Sequence, residues 1–259
     1  MKLKLIEQQA LIKQVKSNYK VMGEGKPLLI LHGWGVGSSK TWKKIQKSIS
    51  KKGYKVYVPD FPGFGKSGNP TYPWDVTNYM EWVAELAEYL KLGRFSIIAH
   101  SFGARVAIKY SANYPKKLEK LVLVGPAGIK IKPSFKIWLI NFVAETTNSS
   151  KSLRPFRKLA RKILFIILRK KDYVKAKGVM KEVMKRIIGE DLTPYFSKVK
   201  TKTLIVWGTK DKMVPVKYSS VFKDNIENSI LEIMPKVGHC PHRDKPKKFL
   251  KLVIPFLKE

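Results

Sequence analysis

The chain repeats one pattern: a short, continuous run of β-branched and aliphatic residues, followed by an amphipathic stretch. Pro27–Leu31, Tyr54–Val58, Arg94–Ala99, Glu119–Val124, Thr203–Trp207 and Ser229–Met234 are runs of this kind. Apolar residues in continuous rather than alternating order predict strands covered on both faces. Such strands belong to parallel sheets whose crossovers are helices. Between the runs, Tyr79, Trp82, Val83, Leu86, Ala87 and Leu90 recur at helical spacing, with Glu81, Glu85 and Glu88 on the other side. Trp42, Ile45 and Ile49 form a shorter stripe of the same type. Ahead of the first parallel strand, Ala10 to Val21 reads as a pair of antiparallel edge segments closing at Gly23-Glu24-Gly25. The expected fold class is α/β, a mostly parallel sheet flanked by helices.

The alternation breaks once. From Gly128 to Phe196 apolar and basic residues keep helical spacing without a convincing strand, and Thr203–Trp207 then resumes the sheet pattern. This predicts a core of residues 1–127 and 197–259 with an inserted all-helical cap over 128–196. Open α/β sheets bind ligands at the carboxyl edge of their strands, where such an insertion sits.

Composition narrows the class further. With 44% hydrophobic and 11% aromatic residues the chain has material for a core, which excludes disorder. The densest apolar run, Ile163 to Leu168, is bounded by Arg161-Lys162 and Arg169-Lys170-Lys171, far short of the roughly 20 apolar residues of a membrane span. The N-terminal residues have positive charge but no apolar stretch behind it, so no secretory signal is expected. The single cysteine, Cys240, fits a reducing compartment, and the expected location is cytoplasmic. The net charge of +33 comes from 52 basic and 19 acidic residues, yet only eight of the basic ones are Arg. Readers of bases and phosphates lean on the guanidinium fork. No specific nucleic-acid partner is expected, and the lysines read as a solvated surface.

The strongest chemical signal is Ile97-Ile98-Ala99-His100-Ser101-Phe102-Gly103-Ala104, a buried strand running straight into a helix. Ser101 lies on the turn, with small residues two before and two after it. A turn sharp enough to project a hydroxyl above the sheet excludes bulk at those flanks, and Ala99 stands for the first glycine of the G-x-S-x-G elbow. A serine needs a base, and the base an orienting acid. Among the four histidines, His32 follows a strand, His100 neighbours the serine, and His239 and His242 lie just past the last strand. Either of the last two can reach Ser101. His239, which follows a glycine permitting close approach, is the better base, leaving His242 as a surface or packing residue. The acid is Asp211 on the loop after the preceding strand; Asp224, its nearby rival, reads as an exposed helix end. No cluster has metal-ligand spacing, so no metal or cofactor is expected.

The order Ser101, Asp211, His239, each on a loop after a strand, resembles the α/β-hydrolase family. His32-Gly33-Trp34-Gly35 resembles that family's oxyanion loop. Pro59-Asp60-Phe61-Pro62-Gly63-Phe64-Gly65-Lys66-Ser67 resembles its D-x-P-G-x-G-x-S loop. The segments Gly208 to Pro215 and Gly238 to Pro246 resemble its acid and histidine loops. The resemblance implies Ser101 as nucleophile, His239 as general base then acid, and Asp211 as the group fixing the imidazole tautomer. It also implies backbone N–H groups of Trp34 and Phe102 as the oxyanion hole, with His32 and Asp60 in structural roles. The implied activity is cleavage of carboxylic esters with small or medium acyl groups through an acyl-enzyme, Trp34 being closer to carboxylesterases. Hydrolysis of a carbon–carbon bond in dienoate ring-fission products is the alternative, and a non-catalytic ligand-binding protein a third reading. Five of the eight arginines lie in the cap; Arg154, Arg157 and Arg161 share one helical face. That face reads as an ordinary amphipathic surface or as a docking surface for an acidic carrier protein or an anionic membrane.

Overall fold

The computed structural model describes residues 3–35, 38–130 and 178–259. Eight strands form one sheet: β1 (Ile6–Ile12), β2 (Val15–Met22), β3 (Lys26–Leu31), β4 (Tyr54–Pro59), β5 (Phe95–His100), β6 (Leu118–Val124), β7 (Thr203–Gly208) and β8 (Ser229–Met234). Their order is β1-β2-β4-β3-β5-β6-β7-β8. From β4 to β8 every neighbouring pair is parallel, while β1–β2 and β2–β4 are antiparallel. The six predicted runs are all strands of this sheet, with no end displaced by more than one residue, but β8, at the sheet edge, is only partly buried and leaves Ile230 and Ile233 exposed.

The helices cover both faces, as continuous apolar strands demand. On β3, β5, β6 and β7, Leu29, Leu31, Ile97, Ala99, Leu121, Leu123, Ile205 and Trp207 enter one core. Their alternates Leu28, Ile30, Ile98, Val122, Val124, Leu204 and Val206 enter the other. Helices α2 (Val76–Tyr89) and α3 (Phe102–Asn113) close the first core, while α1 (Lys43–Ser50) contributes Ile45 and Ile49 to the second. Further along the chain come α4 (Val179–Gly189), α5 (Thr193–Phe196), α6 (Ser219–Asn225), α7 (Pro241–Asp244) and α8 (Pro246–Lys258). Asp75 starts α2 with a reciprocal cap: its carboxylate accepts from the Asn78 amide at 3.0 Å, and the Asn78 side chain accepts from the Asp75 amide at 3.1 Å. Among the described residues no helix is long and apolar enough to cross a membrane.

The antiparallel edge differs from its expected form. The hairpin spans Ile6 to Met22 and turns at Lys13-Gln14, both left-handed at φ 48° and 60°. A two-residue turn of this handedness matches strand twist, but Asn or Gly usually supplies it. Gly23 and Gly25, expected to close the hairpin, instead carry the chain from β2 into β3. There a Cβ on Gly23 would lie 2.4 Å from the Tyr54 carbonyl.

The long excursion between β6 and β7 is anchored at its described ends. The Leu192 amide donates to the Gly128 carbonyl at 2.7 Å, joining the points where the chain leaves and re-enters the core. Lys109 of α3, nearly buried, contacts the Glu190 carboxylate at 2.5 Å and Thr77 Oγ1 at 2.7 Å. Arg105, one turn earlier, donates to the Glu190 carbonyl at 2.9 Å. From α4, Met180, Val183 and Ile187 pack into the first core, and Arg186 donates to the Pro73 carbonyl at 2.9 Å. Arg154, Arg157 and Arg161 lie outside the described residues. Removing one partner of a buried ion pair strands the other. Glu190→Gln should therefore lower unfolding free energy by about 2–4 kcal/mol. The double change Lys109→Met, Glu190→Leu should recover most of that loss in urea titrations. A double variant as unstable as the single one contradicts the stranded-charge account.

Candidate active site

Four loops converge at the carboxyl edge of the sheet, each after a parallel strand. After β5 the chain turns through Ser101 at φ 51°, ψ −106°, a conformation costly for a residue with a side chain. The turn is held from both sides. The Ser101 amide donates to the Val124 carbonyl of β6 at 3.1 Å, and its carbonyl accepts from Ala104 at 3.1 Å. Gly103 lets α3 lie directly on the end of β3: a Cβ there would be 2.5 Å from the Leu31 carbonyl oxygen and 2.7 Å from that of His32. Ala99 is fully buried between Leu31 and Leu123, a place with little room for more than a methyl group.

Ser101, His239 and Asp211 form one hydrogen-bonded row. Ser101 Oγ lies 2.9 Å from His239 Nε2, and His239 Nδ1 lies 2.7 Å from Asp211 Oδ2. A carboxylate at Nδ1 fixes the proton on that nitrogen and leaves Nε2 as the acceptor facing the serine. Asp211 is itself oriented, its Oδ1 accepting from the Met213 and Val214 amides at 2.8 and 2.9 Å. Two glycines allow the approach. A Cβ on Gly208 would be 2.3 Å from the Val237 and Gly238 carbonyl oxygens, and one on Gly125 would be 3.4 Å from both Asp211 Oδ2 and His239 Nδ1. Asp224, the rival acid, is exposed on α6, as expected.

The expected oxyanion loop lies against the same elbow. A Cβ on Gly33 would come 2.5 Å from His100 Nδ1 and 3.4 Å from Ser101 Cβ, so only glycine fits. Trp34 follows it, half-buried, with ring centroids 4.7 Å from Phe64 and 5.5 Å from Phe102. Within the described chain no hydrogen bond takes up the amide of Trp34 or of Phe102. His32 ties this loop to the next: its Nε2 accepts from the Phe61 amide at 2.9 Å and its Nδ1 donates to the Gly33 carbonyl at 2.7 Å. Asp60 is buried, accepting from Asn18 Nδ2 at 2.9 Å and the Lys66 amide at 3.2 Å, and Gly65 leaves the space its carboxylate fills.

The other histidines are packing elements. Of the two places expected for His242, surface or packing, it takes the second. It is 3% exposed and stacks on Trp42 with centroids 3.8 Å apart and planes 3° from parallel. His100 is more than a neighbour of the serine. Its Nε2 donates to the His239 carbonyl at 2.8 Å while Nδ1 abuts Gly33, so one ring spaces the histidine loop from the oxyanion loop. No residue pattern announces that double contact, because it depends on loops remote in sequence. Burial holds these rings neutral: the pKa of His32 is pushed down to about 4, that of His242 to about 3, and that of His100 well below 6.5. Cys240 is partly buried, and burial raises its thiol pKa, which keeps it protonated and inert. Among the described residues no group of His, Cys, Asp and Glu could hold a metal ion.

Residues 26–149 match the family model described as alpha/beta hydrolase fold. Similar to the chain is a 2-hydroxy-6-oxo-6-phenylhexa-2,4-dienoate hydrolase of Comamonas testosteroni, 26% identical over 93% of this chain and 91% of that protein. Among solved structures, an esterase from Exiguobacterium antarcticum superposes with a TM-score of 0.76 at 22% identity, covering 98% of this chain and 100% of that one. A meta-cleavage product hydrolase from Pseudomonas fluorescens does so with a TM-score of 0.74 at 22% identity, covering 97% of each. The chain has the α/β-hydrolase fold.

The buried neutral histidines generate an acid liability. Unfolding frees His242 to protonate with an ordinary pKa of 6.5, whereas the folded ring stays neutral down to about 3. Its contribution is complete above about pH 6.5 and is lost progressively as pH falls towards 3. His242→Phe keeps the stack on Trp42 and removes this proton uptake. The slope of unfolding free energy between pH 6 and 4 should shrink by about 1.4 kcal/mol per pH unit. Parallel slopes for the two proteins in denaturant titrations would place His242 outside the acid transition.

Proposed function

We propose that the protein is a serine hydrolase that cleaves carboxylic esters of small or medium acyl groups through an acyl-enzyme. The observation that carries this reading is the row from Ser101 Oγ through the His239 imidazole to Asp211, with contacts of 2.9 and 2.7 Å. In it, His239 Nε2 takes the Ser101 proton as Oγ attacks the ester carbonyl, and Asp211 stabilises the imidazolium that forms. The tetrahedral oxyanion is bound by the Trp34 and Phe102 amides, both without an acceptor among the described residues. Such donors lower the barrier by about 3 kcal/mol each. The protonated His239 then passes its proton to the departing alcohol, and water repeats the sequence to release the acid. His100 and His32, neutral through burial, add no competing charge beside His239. Residues 128–196 are the cap in this proposal, and no cofactor is required.

The second reading, carbon–carbon hydrolysis of a dienoate, draws its support from the Comamonas relative named for that reaction. The first reading is supported by the rings beside the elbow, Trp34 against Phe64 and Phe102, which suit an apolar acyl chain. In the ester reading, a fluorophosphonate probe labels Ser101 and p-nitrophenyl butyrate is turned over. Ser101→Ala and His239→Ala should each lower kcat by at least about a thousandfold. Activity should rise with pH as the base loses its proton, while His242→Ala stays near wild type. Retention of a tenth of wild-type kcat/KM in Ser101→Ala would remove the serine from its role. Turnover of a ring-fission dienoate with none of any ester panel would favour the second reading.

A further inference from the structure

We propose that the outer face of α1 and α8 docks the protein on an anionic lipid bilayer. These two helices lie side by side over the second core, with Trp42 and Phe249 ring centroids 6.4 Å apart beneath them. Along this layer Lys40, Lys43, Lys44, Lys47, Lys51 and Lys52 meet Lys245, Lys247, Lys248, Lys251 and Lys258, and all are exposed. No carboxylate occurs between Glu24 and Asp60, nor between Asp244 and Glu259. None of these eleven lysines enters an ion pair among the described residues.

The opposite layer is different. There α2 presents Glu81, Glu85 and Glu88, and Glu81 pairs with Lys13 at 2.7 Å. A lysine-rich composition alone would load both layers alike. Among the described residues, α1 and α8 carry lysines without the carboxylates that α2 presents.

The chemistry of that side selects the occupant. Neither helix carries an arginine, and Trp42, Phe249 and Phe256 are buried, so the two helices lack both guanidinium forks and exposed rings on which bases stack. Apart from the exposed Pro255, the apolar residues of α8 are buried or half-buried, leaving no large protruding anchor of the kind a protein interface centres on. What remains is dense, unneutralised ammonium charge on two adjoining helices. A layer of anionic headgroups complements it, since juxtamembrane lysines attract such a surface additively within a Debye length. At the catalytic edge the face is continued by the turn Ser38–Trp42 and by α7, which contact each other. Docking there sets the Ser101 loops beside the bilayer rather than under it. The docking does not depend on the hydrolase reading, and its test measures no turnover.

The experiment is sedimentation with vesicles of phosphatidylcholine alone and of phosphatidylcholine mixed with phosphatidylglycerol. Wild type should bind only the mixed vesicles and be released by salt. The variant Lys43→Gln, Lys47→Gln, Lys247→Gln, Lys251→Gln should lose about tenfold or more in partitioning. A charge-matched control, Lys4→Gln, Lys91→Gln, Lys116→Gln, Lys117→Gln, should lose far less. The Lys43/Lys47 and Lys247/Lys251 pairs alone give the same reading in smaller steps if the fourfold variant misfolds. Equal losses from the face and control variants would reduce the effect to diffuse charge and overturn the proposal. So would failure of wild type to bind mixed vesicles. Tighter binding of a single-stranded oligonucleotide, lost in the same face variant, would reassign the face to nucleic acid.

Discussion

Ser101 sits in a backbone conformation that a residue with a side chain adopts at a cost of the order of 1–3 kcal/mol. Almost every feature around it answers that cost. The strand before it is paired on both sides, by β3 and β6, so its end cannot relax sideways. The helix after it is seated on the β3 carbonyls through Gly103, and a methyl group at that position would push the two apart. Strain of this sort persists only where the surroundings over-determine it, and here the sheet itself is the restraint. The position of Ser101 is therefore a property of the core, with the convergent loops added to it.

The loops need a second device, which is the omission of side chains. Gly33, Gly125 and Gly208 each stand where a Cβ would meet a neighbouring loop at about van der Waals contact or far closer. They let four strand ends approach until imidazole, carboxylate and hydroxyl are within hydrogen-bonding distance. His32 and His100 then cross-link the loops through main-chain groups, and both must be neutral in order to accept or to sit unhydrated. Rigidity at the site is thus built from close backbone contacts and uncharged rings.

Much of this was legible in the residues. The continuous runs gave the parallel strands, because burial on both faces leaves no alternation to confuse with a helix. The hydrogen-bonded row of Ser101, His239 and Asp211 followed from small-Ser-small at a strand–helix junction and from the order of the later loops. The hairpin turn was not legible, since Lys13 and Gln14 adopt left-handed angles that their side chains do not advertise. The burial of His242 was hidden for another reason: its partner Trp42 lies on a different layer segment, two hundred residues earlier in the chain. Charge segregation was likewise invisible, because composition sums over the surface, and only packing makes α1 and α8 neighbours.

The clasp in which Leu192 meets Gly128 and Glu190 meets Arg105 and Lys109 bears on chain length. The Leu192–Gly128 hydrogen bond brings together the two described ends of the excursion between β6 and β7, and Glu190 ties the second of them to α3. The entropic cost of closing a loop grows only logarithmically with its length. A change in the number of residues between Gly128 and Leu192 would therefore alter that cost little, while loss of the clasp would release both ends.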